Sequence, residues 1–536
     1  MTEKKIKIED MGRQDLDRLS TFDKKRQPPL PPPYDKLEEE PDFPPLSEDV
    51  KQKYEARLDD TLAISIPKPK TPEEEAVLVQ KFLTGLEKLF VKENNWTFLQ
   101  PLLLTMDHCA KCHTCSEACH IYEASGRDEL YRPSYRSEVF RRLYRKFVNK
   151  GSLLESWRAG DIKLSWTLIA RLAELAYRCN LCRRCAQTCP IGVDNALVAR
   201  EIRKLFSQEL GIAPKEIHDN GALLQLKVGS STGMSALVVK DNIEFIDEDI
   251  SEKTGLDLKT HWDVQGADVL LIHNAGEIMA WPENPGAFAV ILEKAGISWT
   301  LSSDLCAYDG INYGVWYDDT LFAKVAIKHM QAAKKLGVKK IVIGECGHAH
   351  KALTVIADRA LPKDLQVPRE SAMTLLEEIV FSGKIAFDPS RNDFPVTLHD
   401  PCNLVRLMGI VEPQRRILRY LCPQFREMTP HGVENYCCGG GSGFAIMSGH
   451  NFGQWRINVT SRKKFEQILN AFQDCIDPGI HKYVCAPCSN CKGAIRDILA
   501  HYEAFEKCGI LYGGLVELIV NAMVDVKPGF IDWEWR

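Results

Sequence analysis

Cys109-Ala110-Lys111-Cys112-His113-Thr114-Cys115-Ser116-Glu117-Ala118-Cys119 spells C-x2-C-x2-C-x3-C, and Cys179, Cys182, Cys185 and Cys189 repeat that spacing, now followed by Pro190. Three thiols two residues apart can each reach one corner of a small cube when the chain makes a tight loop. A fourth, three residues on, starts a helix and points away. One such run is the ligand pattern of a [4Fe–4S] cluster, and two runs describe a two-cluster module in which each fourth Cys serves the other cluster. The expected sets are Cys109, Cys112, Cys115 and Cys189 for one cubane, and Cys179, Cys182, Cys185 and Cys119 for the other. The first run carries His120 where the second carries Pro190, so it is the less regular of the two. A lone C-x2-C pair could be zinc or part of a disulfide framework; two complete four-Cys runs argue against both.

The bulk composition agrees with a soluble redox protein. The chain has 536 residues, with 68 basic against 73 acidic side chains and a net charge of −5. At roughly 150 residues per domain this allows three to four domains. So mild a charge carries no nucleic-acid footprint. The polar start, Met1-Thr2-Glu3-Lys4-Lys5, does not read as a signal peptide. Neither Phe98 to Met106 nor Ile510 to Val524 sustains the ~18 apolar residues of a membrane span. Nineteen cysteines in a chain read as residing in a reducing compartment point to metal or catalysis.

Four regions follow from patterning. Residues 1–75 are rich in charge and proline, including Pro28-Pro29-Leu30-Pro31-Pro32-Pro33, and cannot bury enough apolar surface to fold alone. A structureless tail and an extended arm ordered on a partner surface are both open for this segment, whose aromatics are Phe22, Tyr34 and Phe43. Residues 76–225 read as a helical domain holding both cysteine runs, with apolar positions at helical spacing over Glu73 to Asn94 and Leu164 to Tyr177. Arg132, Arg136, Arg141, Arg142 and Arg145, between the runs, read as solvated helix surface first and as a docking face for an acidic partner second. Residues 226–390 and 391–536 alternate short strands with helices, which argues for α/β layers on a largely parallel sheet. The strand runs are Ala267 to His273, Lys339 to Gly344, Phe394 to His399 and His481 to Cys485.

These last two regions align as a repeat. Leu271-Ile272-His273-Asn274-Ala275-Gly276 lies against Thr397-Leu398-His399-Asp400-Pro401-Cys402, Asp304-Leu305-Cys306-Ala307 against Tyr436-Cys437-Cys438-Gly439, and Val342 to Ala349 against Val484 to Cys491. The second copy has Cys402, Cys437, Cys438, Cys488 and Cys491 at or after strand ends, where ligands of open α/β sheets collect. The first copy keeps only Cys306 and Cys346; Gly276, Leu305 and Ala349 take the other places. Two thiols cannot hold a cluster, so one special centre is expected, in the second copy alone. Gly439-Gly440-Gly441-Ser442-Gly443 would let backbone approach an inorganic sulfide.

The pattern of Cys402, Cys437-Cys438-Gly439 and Cys488-x2-Cys491, joined to a two-cluster module, resembles the HdrD family of heterodisulfide reductases. Within it the chain looks like the DsrK-type members, from the membrane complex associated with dissimilatory sulfite reductase. The resemblance spans residues 76 to 525; the head and the Trp533-Glu534-Trp535-Arg536 tail lie outside it. The separation of Cys438 and Cys488 is longer than the family pattern, and Cys485 leaves the choice among Cys485, Cys488 and Cys491 open, with register favouring the last two.

The fold class implied is α+β multidomain: a helical two-[4Fe–4S] ferredoxin-like domain, then two repeated α/β cysteine-rich (CCG) domains, the first degenerate. Implied cofactors are two cubane [4Fe–4S] clusters and one non-cubane [4Fe–4S] cluster at Cys402, Cys437, Cys438, Cys488 and Cys491, where a disulfide or trisulfide is reduced. Implied partners are a membrane haem b quinol-oxidising subunit with the rest of its complex and a small DsrC-like protein substrate. Attachment would be peripheral, on the cytoplasmic face of the membrane. Two other readings share the motifs: a non-catalytic electron relay, and the iron–sulfur subunit of a glycolate, lactate or glycerol-phosphate oxidoreductase.

Further candidates lie on the substrate side of the centre. Cys306, Cys346, His348 and His350 could be a sulfur relay or acid–base groups, or remnants packed between the repeats. By pseudo-symmetry Cys306 and Cys346 are expected near each other. Cys422, Cys475 and Cys508 read as core cysteines of helices, and His399 as a brace for its loop.

Overall fold

The computed structural model describes residues 20–45, 47–50, 61–62, 66–149, 162–306, 310–449 and 451–533. Two compact units are present: Met1–His218 with Gly314–Asp319 and Gly439–Lys463, and Asp219–Tyr313 with Thr320–Cys438 and Lys464–Arg536. Among the described residues no helix is long and apolar enough to cross a membrane.

The first unit is helical apart from a short antiparallel pair, β1 (Thr61–Leu62) and β2 (Ile66–Pro67). The helix Pro72–Leu89 starts where Thr71 accepts the Glu74 N–H, with Pro72 in the first turn and Glu73, Glu74 and Glu75 opposing the positive end of the dipole. It buries Phe82, Leu86 and Leu89, and Phe82 meets Phe206 of the helix Asn195–Leu210 with ring centroids 6.0 Å apart. That second helix is capped by Asp194 and ends at Gly211, whose φ of 70° suits a residue without Cβ. Its inward charges are matched. Arg200 and Lys204 both reach the Asp319 carboxylate, and Asn95 joins them through Glu201 and Lys204, all buried. The Gly314–Asp319 insertion is anchored to this unit by that network.

The described part of the proline-rich head is ordered on its own chain. Ser20 N–H bonds Glu174 at 2.7 Å, and the Gln27 amide reaches the carbonyls of Ala124 and Asn458 at 2.8 and 2.7 Å. Glu40 takes both terminal nitrogens of Arg462 at 2.7 and 2.8 Å, each partner buried. The segment's helices among the described residues are single turns, Lys24–Arg26, Leu37–Glu39 and Glu48–Val50. Its order comes from this surface, as its composition requires. The Met1 to Lys5 start lies outside the described residues, as do residues 51–60 and Glu534, Trp535 and Arg536 of the tail.

The second unit holds two four-stranded sheets. β3 (Val269–Ile272), β4 (Trp299–Thr300), β5 (Lys340–Ile343) and β6 (Arg369–Ser371) form the first, in the order β4-β3-β5-β6. β7 (Val396–Leu398), β8 (Phe425–Arg426), β9 (Lys482–Cys485) and β10 (Ile510–Gly513) form the second, in the order β8-β7-β9-β10. All pairings in both are parallel. The two orders are the same when each strand is matched to its repeat partner. The four runs legible in the sequence are the central strands, buried on both faces and mostly apolar, with Thr397 inside β7 and Lys340 and Lys482 opening β5 and β9. Of the edge strands, β4, β6 and β8 carry no such run, whereas β10 is apolar as Ile510-Leu511-Tyr512-Gly513. One apolar core serves both sheets, from Val269, Leu271 and Val342 to Val396, Leu398 and Tyr483, with the helices Ala372–Phe381, Pro413–Leu421 and Leu515–Ala522 packed on it. Neither repeat stands alone, which accounts for a copy without ligands being retained.

Candidate metal centres

In the first unit the two cysteine runs fold as near copies. The middle Cys of each sits between two left-handed residues: Lys111 (φ 56°) and His113 (64°) around Cys112, Leu181 (51°) and Arg183 (61°) around Cys182. Non-glycine side chains avoid this region, so four occurrences at matching places mark an imposed loop shape. A one-turn helix follows in each, Thr114–Glu117 and Arg184–Gln187, and the fourth Cys lies just beyond it.

The loops exchange their last cysteines. Burial raises the Cys115 thiol, and Cys109 and Cys189 add to the rise. Burial likewise pushes Cys119 up to about 12, with Cys179 and Cys182 adding. Cys185 is raised by burial, by Asp194 and by Cys179, Cys182 and Cys119. The structure thus brings Cys119 to the second run and Cys189 to the first. Cys112 is exposed, its thiol 3.3 Å from the Thr114 hydroxyl. Thiols crowded so that each hinders the ionisation of the next are a donor set suited to irons that neutralise them. Backbone N–H groups also face sulfur, Leu181 to Cys179 at 3.4 Å and Val193 to Cys189 at 3.3 Å.

His120, in the place of the missing proline, meets the Asn180 amide oxygen at 3.0 Å, and Asn180 passes its N–H to the Gly439 carbonyl at 2.8 Å. A hydrogen bond between the two runs therefore replaces the ring. The intervening arginines differ from expectation. Arg136 and Arg141 are buried and donate to the Leu175 and Thr105 carbonyls, in the last turns of the helices Trp166–Tyr177 and Leu99–Asp107. They satisfy helix C-termini, which welcome cations. The glycines after Cys438 also have another use than the expected one. A Cβ on Gly439 would lie 2.2 Å from the Ser461 hydroxyl, and one on Gly443 would lie 2.5 Å from Ile217. Both have positive φ, 92° and 97°. The run is tight backbone packing within the first unit.

In the second unit, thiols gather at the carboxyl ends of neighbouring strands. Cys402 follows β7 after His399-Asp400-Pro401 and is half-buried. Cys488 follows β9 and caps the helix Ser489–His501, whose first turn carries Cys491. Cys437, Cys438, Cys488 and Cys491 are 1%, 3%, 3% and 4% exposed. The neighbouring Cys437 and Cys491, then His399, draw the Cys438 thiol below its ordinary range, while Cys491 is raised by Cys438 and Cys488 beside it. One thiolate favoured by three neighbours is the electrostatic signature of a ligand nest. Cys485, by contrast, is fully buried in the apolar core, raised by burial.

The first repeat supplies a wall of this site. Gly347 N–H points at the Cys488 sulfur, 3.3 Å away, and a Cβ on Gly347 would lie 3.8 Å from Asn403, the neighbour of Cys402. Cys346 has Cys488 among its neighbours, its own thiol raised by burial. His348 is hydrogen-bonded to Asn490, between Cys488 and Cys491, and has Cys438 nearby; burial lowers it to about 3 and keeps it neutral. Cys306 does not join Cys346. A single helical turn, Ser303–Leu305, aims its thiol at the Ala236 carbonyl, 3.2 Å away, in a cavity lined by Met234, Trp262, Leu301 and His273. His350 is a brace, bonded to the Cys346 carbonyl and the Ser371 hydroxyl. Cys422 and Cys508 are buried at helix ends, but Cys475 is half-buried and lies beyond the helix Arg462–Ala471.

Sequence reasoning missed His399, expected as a loop brace: its ring faces Cys438 and Cys491. Lys464, buried and lowered to about 7 by desolvation, and Asn435 also escaped notice. Neither carries a signal in the sequence: Lys464 lies in the polar run Thr460-Ser461-Arg462-Lys463-Lys464, and Asn435 follows Glu434.

Two domain families match the chain, the 4Fe-4S dicluster domain over residues 105–193 and the cysteine-rich CCG domain over residues 396–496. An Hdr-like menaquinol oxidoreductase iron-sulfur subunit 2 of Archaeoglobus fulgidus is 29% identical over 465 residues, 78% of this chain and 80% of that protein. The D component of the dihydromethanophenazine:CoB--CoM heterodisulfide reductase of Methanosarcina acetivorans is 25% identical over 66% of this chain and 82% of its own length. A probable membrane-anchored ferredoxin of Chromohalobacter salexigens is 24% identical over 61% of this chain and 47% of its own length. The architecture is therefore a 4Fe–4S dicluster domain followed by a cysteine-rich domain, in mixed helix and parallel sheet.

Proposed function

We propose that the chain is the iron–sulfur catalytic subunit of a membrane-associated, quinol-linked redox complex of the DsrK type, reducing a disulfide or trisulfide on a small DsrC-like protein. Cys109, Cys112, Cys115 and Cys189 hold one cubane, and Cys179, Cys182, Cys185 and Cys119 the other. Cys402, Cys437, Cys438, Cys488 and Cys491 hold the non-cubane centre. The electrons come from a haem b quinol-oxidising partner on the cytoplasmic side of the membrane. The domains assigned are a partner-binding arm (1–75), the ferredoxin domain (76–225), the degenerate CCG domain (226–390) and the CCG domain (391–536).

The observation that carries this reading is the gathering of four buried thiols, Cys437, Cys438, Cys488 and Cys491, the last two just after the carboxyl end of the parallel strand β9. Breaking one S–S bond takes two electrons and two protons and leaves two thiols. A non-cubane centre held by Cys402, Cys437, Cys438, Cys488 and Cys491 would supply single electrons and an iron with affinity for sulfur. The protein does the rest. Burial excludes water, the Gly347 N–H steadies the Cys488 sulfur, and His348 stays uncharged beside Cys438. The relatives' names, menaquinol oxidoreductase and heterodisulfide reductase, support the donor and the reaction class.

Iron and acid-labile sulfide in anaerobically purified protein test it: about twelve irons per chain are expected, and about eight would refute the third centre. Cys437→Ser should lose disulfide reduction and about four irons while the dicluster domain stays reducible. Thiol added to the oxidised protein should change a paramagnetic signal; no change would instead mark an electron relay.

A further inference from the structure

His399 follows β7 as His273 follows β3, so each repeat places an imidazole at the same strand end. Their partners differ. In the repeat without ligands, His273 Nδ1 lies 3.0 Å from the Glu277 carboxylate. In the repeat with thiols, a ring nitrogen of His399 and the sulfurs of Cys438 and Cys491 all lie within 4.8 Å of one another. The ring is 1% exposed.

The surrounding hydrogen bonds fix its tautomer. The Asp400 carbonyl, which can only accept, takes the Asn435 N–H at 2.8 Å, and Lys464 donates to the Asn435 amide oxygen at 2.6 Å. The Asn435 amide is therefore oriented, and the nitrogen it presents to His399 Nδ1, 3.5 Å away, is a donor. Asp400 is itself clamped by Arg415 and the Gly432 N–H. With Nδ1 left as acceptor, the ring proton sits on Nε2. Nε2 is buried and, among the described residues, has no hydrogen-bond partner. A buried N–H without an acceptor is costly, and the acceptors beside this ring are sulfur.

We propose that His399 donates its ring N–H to a sulfur of the metal centre formed by these cysteines, and so tunes that centre as a positioning residue. The inference rests on the proposed third cluster. Hydrogen bonds to cluster sulfurs stabilise the reduced, more negative state and raise the reduction potential. Loss of this bond lowers the potential of one centre and leaves the two dicluster centres alone.

The test uses the full chain with its clusters. In an EPR-monitored redox titration, His399→Phe should lower the midpoint of the third centre only, and His399→Gln, which keeps a side-chain N–H, should recover part of the shift. Unchanged midpoints in a His399→Phe protein of full iron content would overturn the proposal. Wild-type protein labelled with 15N-histidine gives a second readout that no variant can compromise by misfolding. A weak nitrogen coupling and an exchangeable proton coupling are expected on the third centre, and the absence of both overturns the proposal. Iron content separates the two failures: about eight irons in wild type removes the third centre itself, whereas about twelve with no coupling removes only the role of His399.

Discussion

Gly347 gives its backbone N–H to the sulfur of Cys488 at 3.3 Å, so a residue of the repeat without ligands touches a proposed ligand of the other. A Cβ at Gly347 would stand 3.1 Å from that sulfur. Gly347→Val, with two more carbons beyond the Cβ, should displace Cys488. The expected result is loss of about four irons per chain with the dicluster signals intact, read by iron analysis and EPR. Full iron in this variant would show that the first repeat does not shape the site.

Cys485 and Cys488 should separate cleanly. Cys485 belongs to the apolar core, so Cys485→Ala should cost about 1–2 kcal/mol of stability as a small cavity and leave the iron content unchanged. Cys488→Ala should do the reverse: little change in melting of the apo-protein, and loss of the third centre. Paired iron analysis and thermal melts decide it.

Glu40 and Arg462 form a buried, two-bonded ion pair that fastens the head to the first unit. Glu40→Ala leaves the guanidinium without its counter-charge and should destabilise that unit by about 3–5 kcal/mol. Replacing both residues by methionine should recover most of the loss. The two melts, with limited proteolysis of the head, measure the difference.

His350 makes stability depend on acid. Burial lowers its ring from an ordinary 6.5 to about 4, with Nδ1 donating to the Cys346 carbonyl and Nε2 accepting from Ser371. Between those values the unfolded chain binds the proton and the folded chain does not. The contribution is therefore complete above about 6.5 and is lost as pH falls toward about 4. Going from neutral to about pH 5 should cost about 2 kcal/mol through this residue. The drop in urea midpoint over that interval should be smaller in His350→Asn than in wild type; equal drops would refute it.

Much of this protein is written locally. The C-x2-C-x2-C-x3-C runs carry their loop shape in their own spacing, because the chain between the thiols is too short for another. The central strands β3, β5, β7 and β9 announce themselves because burial on both faces favours apolar residues. The repeat is legible for the same reason, since matching strand ends bear matching residues. The edge strands β4, β6 and β8 are not legible, because β4 and β8 are only two residues long and pairing with a neighbour, not composition, defines all three. β10 is apolar but runs almost directly into the apolar helix Leu515–Ala522, so the two read as one stretch.

Tertiary structure decided what each side chain faces. Arg136 and Arg141 look like solvated surface in sequence, yet helix C-termini from elsewhere in the unit claim them. Cys306 and Cys346 look like a pair, yet one turn of helix sends the first to the Ala236 carbonyl while the second lies beside Cys488. His399 looks like a loop brace, yet the strand end delivers it to the thiols. Spacing along a chain fixes which groups can share a loop. Which groups share a site depends on sheet order and on the hydrogen bonds that orient each ring and amide, and those arise only when distant segments meet.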